Sequence, residues 1–131
     1  MRHIFSELAS GNSKPLVESM ADDFNWTVKG TTRWSKTYAG KEAVLNELLA
    51  PLRSRLADQY TNTADRFIAE GDLVVVECRG RSTIKAGIPY NNNYCFIFRL
   101  AEGRLKEVIE YMDTQLVATV LDDPKLEALA A

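Results

Sequence analysis

The spacing of apolar residues changes along the chain, from helical periodicity in the first half to strand alternation in the second. Residues Arg2–Ser10 and Lys41–Ala57 carry apolar side chains at helical spacing, which predicts one amphipathic helix in each. Pro51 lies inside the second helix and predicts a kink or an interruption, because proline removes a backbone hydrogen bond. Residues 67–113 predict three long antiparallel strands joined by two tight turns.

Shorter elements fill the rest of the chain. Ser13 predicts the cap of a short helix that ends near Met20. Alternation in Phe24–Gly30 predicts a first strand, and Thr61–Ala69 predicts another strand that leads into the three long ones. Residues 114–121 fit either a continued strand or a terminal helix, and a small helical tail is expected to begin at residues 122–124. No repeat or second domain is apparent, so residues 1–131 are expected to form a single domain.

This order of elements predicts an α+β fold in which a curved sheet wraps around helices. A broad, twisted antiparallel sheet needs apolar cover on one face, and the N-terminal helices supply it. A sheet that curls around helices leaves one end open, and that end is expected to form a pocket.

Composition restricts which classes of partner and which cellular location are expected for the protein. The net charge is −2 and no basic block is present, which argues against nucleic acid or an anionic membrane as the main partner. No apolar run approaches about 18 residues, and the N-terminus lacks the apolar core of a signal peptide. Two cysteines do not make a disulfide framework. A cytoplasmic protein is therefore expected.

The first turn of the long hairpin sets which charged side chains reach the pocket. If this turn is centred near residues 86–87, Arg79 lies opposite Tyr94 and Glu77 lies opposite Phe96. In this register Cys78 and Cys95 face each other on the outer face, where neighbouring strands give poor disulfide geometry. Free thiols at or near a dimer interface are therefore expected.

The second turn decides between two acidic residues. If residues 101–103 form a three-residue loop, Glu110 lies opposite Tyr94 and joins the pocket row. If the turn has two residues, Glu110 moves to the other face and Asp113 enters, because side chains alternate with a period of two. Both registers remain open from the sequence.

A charged row in an apolar pocket suggests acid–base chemistry. Burial raises the pKa of a carboxyl group, whereas a neighbouring arginine lowers it, so Glu77 and Glu110 beside Arg79 could hold different protonation states. The alternative is that these charges face solvent or form ion pairs between strands. The candidate catalytic residues are Glu110, Arg79, Tyr94, Glu77 and Asp113.

Several segments in order resemble the SnoaL-like branch of the nuclear transport factor 2-like superfamily, which includes ketosteroid isomerase and limonene epoxide hydrolase. The matching segments are Tyr38–Val44 after Gly30, Ala69–Glu77, Gly87–Asn92, Phe96–Arg99 with Glu102–Leu105, and Glu110–Thr114. The resemblance implies a cone of curved, mixed or antiparallel sheet with about three helices, and a homodimer through the outer sheet face. It also implies a pocket for small, largely apolar molecules and chemistry without a metal or an organic cofactor.

Residue by residue, the resemblance to the epoxide hydrolases is partial. Their last-strand acid corresponds to Glu110, and their arginine and aspartate positions fall on Glu77 and Arg79, with the charges exchanged. Their first-strand tyrosine and asparagine fall on Trp26 and Val28, so the polar asparagine is missing. The resemblance therefore implies the pocket but not that activity.

Aromatic, apolar and amide side chains near this row complete the expected site. Trp26 and Tyr94 are interpreted as pocket walls or as ordinary core residues. The expected substrate-binding residues are Trp26, Val28, Tyr38, Asn92, Phe96 and Met112, and no metal ligands are expected.

Two functions are consistent with these residues. The first is a cofactor-free isomerase, cyclase, hydratase or epoxide hydrolase that acts on a small apolar substrate. The second is a ligand-binding or dimeric assembly module without chemistry.

Overall fold

Six strands form one mixed, curved sheet in the computed structural model, which describes residues 1–121, 123 and 124. The strands are β1 (Met20–Val28), β2 (Thr37–Ala39), β3 (Thr61–Glu70), β4 (Leu73–Arg81), β5 (Asn93–Ala101) and β6 (Arg104–Met112). Their order is β2-β1-β6-β5-β4-β3, with β1 and β6 parallel and every other pair antiparallel. The predicted α+β fold with a curved sheet around helices is confirmed.

The helices cover the concave face of this sheet. They are α1 (Arg2–Leu8), α2 (Lys14–Ser19), α3 (Lys41–Ala43), a π-helical segment (Val44–Leu49), α4 (Ala50–Ser54) and α5 (Thr114–Val120). The predicted interruption near Pro51 takes the form of the π-helical segment directly before it, where a wider turn accommodates the missing donor. Residues 114–120 are helical, which excludes the continued strand. The predicted tail lies outside the described residues, apart from Asp123 and Pro124.

The core lies between the sheet and the helices. Its fully buried apolar side chains are Met20, Phe24, Val44, Val76, Phe98, Leu105 and Val108. Phe5 of α1 packs edge-on against Phe67 and Phe98, with ring centroids 5.9 and 6.1 Å apart. Each such buried side chain contributes about 1.5 to 3 kcal/mol, so apolar burial holds α1 against the sheet.

The pairing of β4 with β5 differs from the expected register by one residue. Cys78 lies opposite Tyr94, and Arg79 lies opposite Asn93. The Ile84 N–H donates to the Ile88 carbonyl at 2.9 Å, which leaves three residues in the turn, and the last of them, Gly87, is left-handed with φ 84°. A turn with an odd number of residues shifts the pairing by one and exchanges the two faces.

The consequence of this shift is that three side chains change faces. The expected placement of Glu77 and Arg79 towards the helices is wrong, because both project from the outer face and are exposed. The expected placement of Cys78 on the outer face is also wrong, because Cys78 is buried on the concave face, whereas Cys95 lies opposite Glu77. Both cysteines are free thiols.

The pairing of β5 with β6 combines a short turn with a bulge. The turn has two residues, Glu102 and Gly103, with φ 55° and 74°, so the expected three-residue loop is wrong. A bulge follows, because Arg99 pairs with Glu107 and Leu100 with Leu105. The bulge adds one residue to β6 and cancels the change of face that the short turn would cause.

Glu110 therefore faces the helices. It lies opposite Phe96, and Met112 lies opposite Tyr94. Tyr94 and Glu110 share the concave face, as in the first of the two registers left open by the sequence, but they are diagonal neighbours and do not form a direct pair.

No helix in the described part of the chain is long and apolar enough to cross a membrane.

Candidate functional site

A cavity of about 120 Å³ lies between the concave face of the sheet and the helices. This is the size range in which an apolar protein cavity holds a single small ring. Leucine, phenylalanine and tryptophan side chains provide most of its wall. The lining residues are Phe5, Leu8, Ser13, Leu16, Trp26, Val28, Trp34, Leu48, Leu49, Leu52, Arg53, Leu56, Tyr60, Asn62, Tyr90, Tyr94, Phe96, Phe98, Glu110, Met112, Val117 and Leu121.

Glu110 is the one carboxylate among the described residues that line this cavity. The indole Nε1 of Trp26 donates a hydrogen bond to its Oε1 at 2.7 Å. The bond forms because β1 runs parallel to β6, with Val28 opposite Glu110 and Trp26 opposite Val108. Two neighbouring strands thus hold the carboxyl group in place.

The surroundings of Glu110 shift its acidity. Burial raises the pKa of its carboxyl group from 4.5 to about 7, and the hydrogen bond from Trp26 opposes part of that rise. A carboxyl group with a pKa near 7 is present in both protonation states at neutral pH. Such a group can either accept or donate a proton, which is the requirement for general acid–base catalysis.

Aromatic rings form the wall beside this carboxyl group. Tyr94 and Phe96 stack with ring centroids 5.2 Å apart and an interplanar angle of 10°. Trp26 meets Phe96 edge-on at 5.9 Å. These contacts hold the rings in fixed orientations and favour a flat, apolar ligand.

Three tyrosine hydroxyls cluster elsewhere in the cavity. The phenol groups of Tyr60 and Tyr90 interact electrostatically with that of Tyr94. Burial is the main cause that raises the pKa of all three phenols, so they stay neutral and act as hydrogen-bond donors or acceptors. Gly80 leaves the space for this cluster, because a Cβ there would lie 2.5 Å from the Tyr60 hydroxyl.

Asn62 lies beside the tyrosines on β3. Its Nδ2 donates a hydrogen bond to the Tyr60 hydroxyl at 3.1 Å. Its Oδ1 has no hydrogen-bond partner, which is true of no other buried side-chain nitrogen or oxygen atom in the described part of the chain. Such an atom is unusual in a folded protein and needs a physical explanation.

Two of the expected catalytic residues form ion pairs on the outer face. Arg79 contacts Asp65, with Nη2 2.9 Å from Oδ1, and Glu77 lies 2.8 Å from Nε of Arg66. Exposed pairs of this kind contribute about 0 to 1 kcal/mol. Because neither side chain lines the cavity, the expected acid–base–acid row is not assembled there.

The side chains of Asp113 and Asn92 hydrogen-bond to backbone groups and do not line the cavity. The Asp113 carboxylate accepts from the backbone N–H groups of Gln115 and Leu116, which caps α5. Asn92 is fully buried and exchanges two hydrogen bonds of 3.0 and 3.1 Å with the Asp113 backbone. The expectation that Asn92 presents its amide to a ligand is therefore not supported by its position.

Of the remaining residues expected to bind a ligand, four line the cavity and Tyr38 does not. Trp26, Val28, Phe96 and Met112 line the cavity, as expected. Tyr38 is buried behind it, and its hydroxyl donates to the Trp34 carbonyl at 2.9 Å, so it holds the loop that carries Trp34. Burial raises the pKa of Tyr38 to about 12.

Sequence analysis did not identify Tyr60, Asn62 or Tyr90 as site residues. Asn62 stands between two threonines, so alternation gave no signal for its face. A bulge between Ala64 and Arg66 further interrupts the pattern of β3. Among the described residues, no group of three or more His, Cys, Asp and Glu side chains could hold a metal ion.

Solved structures of other proteins have the same fold as this chain. A candidate SnoaL-like polyketide cyclase from Jannaschia sp. CCS1 is 19% identical, with a TM-score of 0.74 over 92% of this chain and 87% of that one. A protein of unknown function from Burkholderia pseudomallei K96243 is 18% identical, with a TM-score of 0.76 over 92% and 94%. TerC, co-crystallised with polyporic acid, is 18% identical, with a TM-score of 0.73 over 88% and 90%.

At these identities the likeness establishes the fold alone. None of the curated proteins matches the sequence. The model of the SnoaL-like domain family matches residues 1–108, which is most of the chain. The chain therefore belongs to the SnoaL-like domain family and has the nuclear transport factor 2-like fold.

Proposed function

We propose that this protein binds a small, largely apolar molecule in the cavity and that Glu110 transfers a proton to or from it. The reaction class is that of a cofactor-free isomerase, cyclase or hydratase. The observation that carries the proposal is the Glu110 carboxyl group inside the apolar cavity, held by Trp26 and with its pKa raised to about 7. Co-crystallisation of TerC with polyporic acid supports a small-molecule role for the same fold.

Glu110 and Tyr94 have separate roles in this proposal. They are diagonal neighbours on adjacent strands, and both line the cavity. The Glu110 carboxylate takes a proton from the substrate and returns it at a second atom. The neutral Tyr94 hydroxyl donates a hydrogen bond to an oxygen that becomes negative as the proton leaves.

The second candidate is ligand binding without chemistry. It is favoured by the outward position of Glu77 and Arg79, because a charged row in the cavity was the sequence feature that suggested catalysis. In this case Glu110 would serve as a polar contact for the ligand.

A homodimer through the outer sheet face is also proposed. Tyr111 on β6 is 46% exposed on that face and lies opposite Cys95, which fits a surface that another copy could cover. Light scattering would test the proposal, since a monomer at micromolar concentration contradicts it.

The test of function starts with native mass spectrometry of the purified protein, to identify a molecule that remains bound. Turnover of that molecule is then compared between the wild type and Glu110→Gln. General acid–base catalysis predicts a loss of about 100-fold or more in kcat. Glu107→Gln, on the same strand and in an outer-face ion pair with Arg99, is the matched control and should retain full activity. Measurable turnover that Glu110→Gln leaves unchanged would remove the acid–base role, whereas binding with no turnover would favour the second candidate.

A further inference from the structure

We propose that Asn62 is a ligand-binding residue, whose amide oxygen accepts a hydrogen bond from a hydroxyl or N–H group of an uncharged, ring-containing molecule in the cavity. The inference rests on the proposed function, because it adds a polar contact and a ligand class to the same cavity. It differs from the role of Glu110, because it concerns recognition and involves no proton transfer.

The amide oxygen of Asn62 has no hydrogen-bond partner. The residue is 3% exposed and lines the cavity, and its amide nitrogen already donates to Tyr60. A buried acceptor without a partner is energetically unfavourable, so buried polar groups are almost always paired in native proteins. A ligand donor would remove that cost, which makes the bound state favourable by the same amount.

Asn62 and Glu110 lie on different strands of the sheet. Asn62 lies on β3 opposite Gly80, whereas Glu110 lies on β6, with β4 and β5 between these strands. Both residues line the cavity, and two strands of the sheet separate them. A donor group held by Asn62 would orient the ligand and turn its remaining part towards Glu110.

The chemistry of the wall restricts what the ligand can be. Arg53 is the one cationic residue among the described residues that line the cavity, and it is exposed. An anionic ligand group would therefore lose its hydration inside without gaining a buried cationic partner, which is unfavourable. The stacked Tyr94 and Phe96 rings favour a flat, apolar body.

Because Oδ1 has almost no accessible surface, the ligand reaches it after a small rotation of the amide. This rotation lengthens one hydrogen bond of the Asn62 side chain, the bond from Nδ2 to the Tyr60 hydroxyl.

The test compares phenol with toluene, two rings of similar shape of which only phenol has a donor. Their dissociation constants are measured by calorimetry or ligand-observed NMR for the wild type, Asn62→Leu and Thr63→Val. Thr63 is the matched control, because it is the next residue on the same strand and is exposed. The preference for phenol over toluene should fall about tenfold in Asn62→Leu, and Thr63→Val should retain it.

A second readout uses the wild type alone. The side-chain amide resonances of Asn62 should shift with phenol and remain in place with toluene, which keeps the test decisive even if Asn62→Leu does not fold. The inference is overturned if both rings bind but Asn62→Leu retains the preference for phenol. It is also overturned if both rings bind but phenol leaves the Asn62 amide resonances unshifted. In either case the cavity of the proposed function remains. If neither ring binds, the inference is overturned together with the small-molecule cavity.

Discussion

At the scale of single residues, two opposing effects determine the acidity of Glu110. Burial favours the neutral acid, whereas the hydrogen bond from Trp26 favours the carboxylate, and burial is the larger effect. The partners of this group were visible in the sequence, because Trp26, Tyr94 and Phe96 stand in alternating strand segments. The pKa itself was not predictable, because it depends on which side chains enclose the carboxyl group in three dimensions.

Replacing Trp26 with phenylalanine should raise the pKa of Glu110 further above 7. The substitution keeps an aromatic ring but removes the Nε1 donor that stabilises the carboxylate. Carboxyl ¹³C chemical shifts followed against pH would measure the change. Trp34→Phe, a substitution in another buried, cavity-lining tryptophan, is the control and should leave the midpoint in place. A midpoint that moves downward in Trp26→Phe would contradict the account.

At the scale of elements, strand alternation was predictable but register was not. The alternation of β1, β4, β5 and β6 is readable in the sequence, whereas each register depends on a turn or a bulge that shifts it by one residue. The three-residue turn between β4 and β5 places Glu77 and Arg79 on the outer face. The bulge in β6 opposite Arg99 places Glu110 on the concave face. Side-chain composition alone does not reveal a bulge, because the extra residue is compatible with either strand face.

Replacing Glu102 with asparagine should stabilise the protein by about 0.5 to 1 kcal/mol. Glu102 has φ 55°, a left-handed conformation that asparagine adopts more readily than glutamate, and Asn-Gly is the preferred pair for such a two-residue turn. Urea denaturation would measure the difference in the free energy of unfolding. Glu70→Asn, at the end of strand β3 where φ is not positive, is the control and should give no gain. Equal stabilities of Glu102→Asn and the wild type would argue against the turn conformation described above.

Replacing Asn92 with alanine should lower the free energy of unfolding by about 1 to 3 kcal/mol. The change removes both hydrogen bonds between the Asn92 amide and the Asp113 backbone, which join the start of β5 to the cap of α5. The neighbouring Asn93→Ala removes an exposed amide and should have an effect within about 0.5 kcal/mol. Similar losses in the two variants would show that the contact with Asp113 carries no special weight.

At the scale of the whole molecule, the curved sheet creates a cavity and the cavity makes Glu110 costly to ionise. The predicted fold, its open end and an acidic residue inside could all be derived from the sequence and the family resemblance. The positions of Asn62 and of the tyrosine cluster could not be derived from the sequence, because they depend on how β3, β4 and β5 pack together. Gly80 contributes only by lacking a side chain, which leaves space for Tyr60.

The contribution of Glu110 to the free energy of unfolding should fall as pH rises from about 4.5 to about 7. Over this range the unfolded chain releases the Glu110 proton while the folded chain retains it, so ionisation favours the unfolded state. The loss from this group reaches at most about 3 kcal/mol above pH 7. Glu110→Gln should therefore be more stable than the wild type above pH 7 and similar to it near pH 4, as measured by urea denaturation across pH. A stability difference that does not depend on pH would contradict a raised pKa.

The most direct test of the account is the titration midpoint of the Glu110 carboxyl group in the wild-type protein, assigned by comparison with Glu110→Gln and followed by carboxyl ¹³C NMR. A midpoint near pH 7 is expected, because the carboxyl group lies in an apolar cavity and accepts one hydrogen bond, from Trp26. A midpoint near 4.5, the value of an exposed glutamate, would show that the group is well solvated and would remove the basis for its acid–base role.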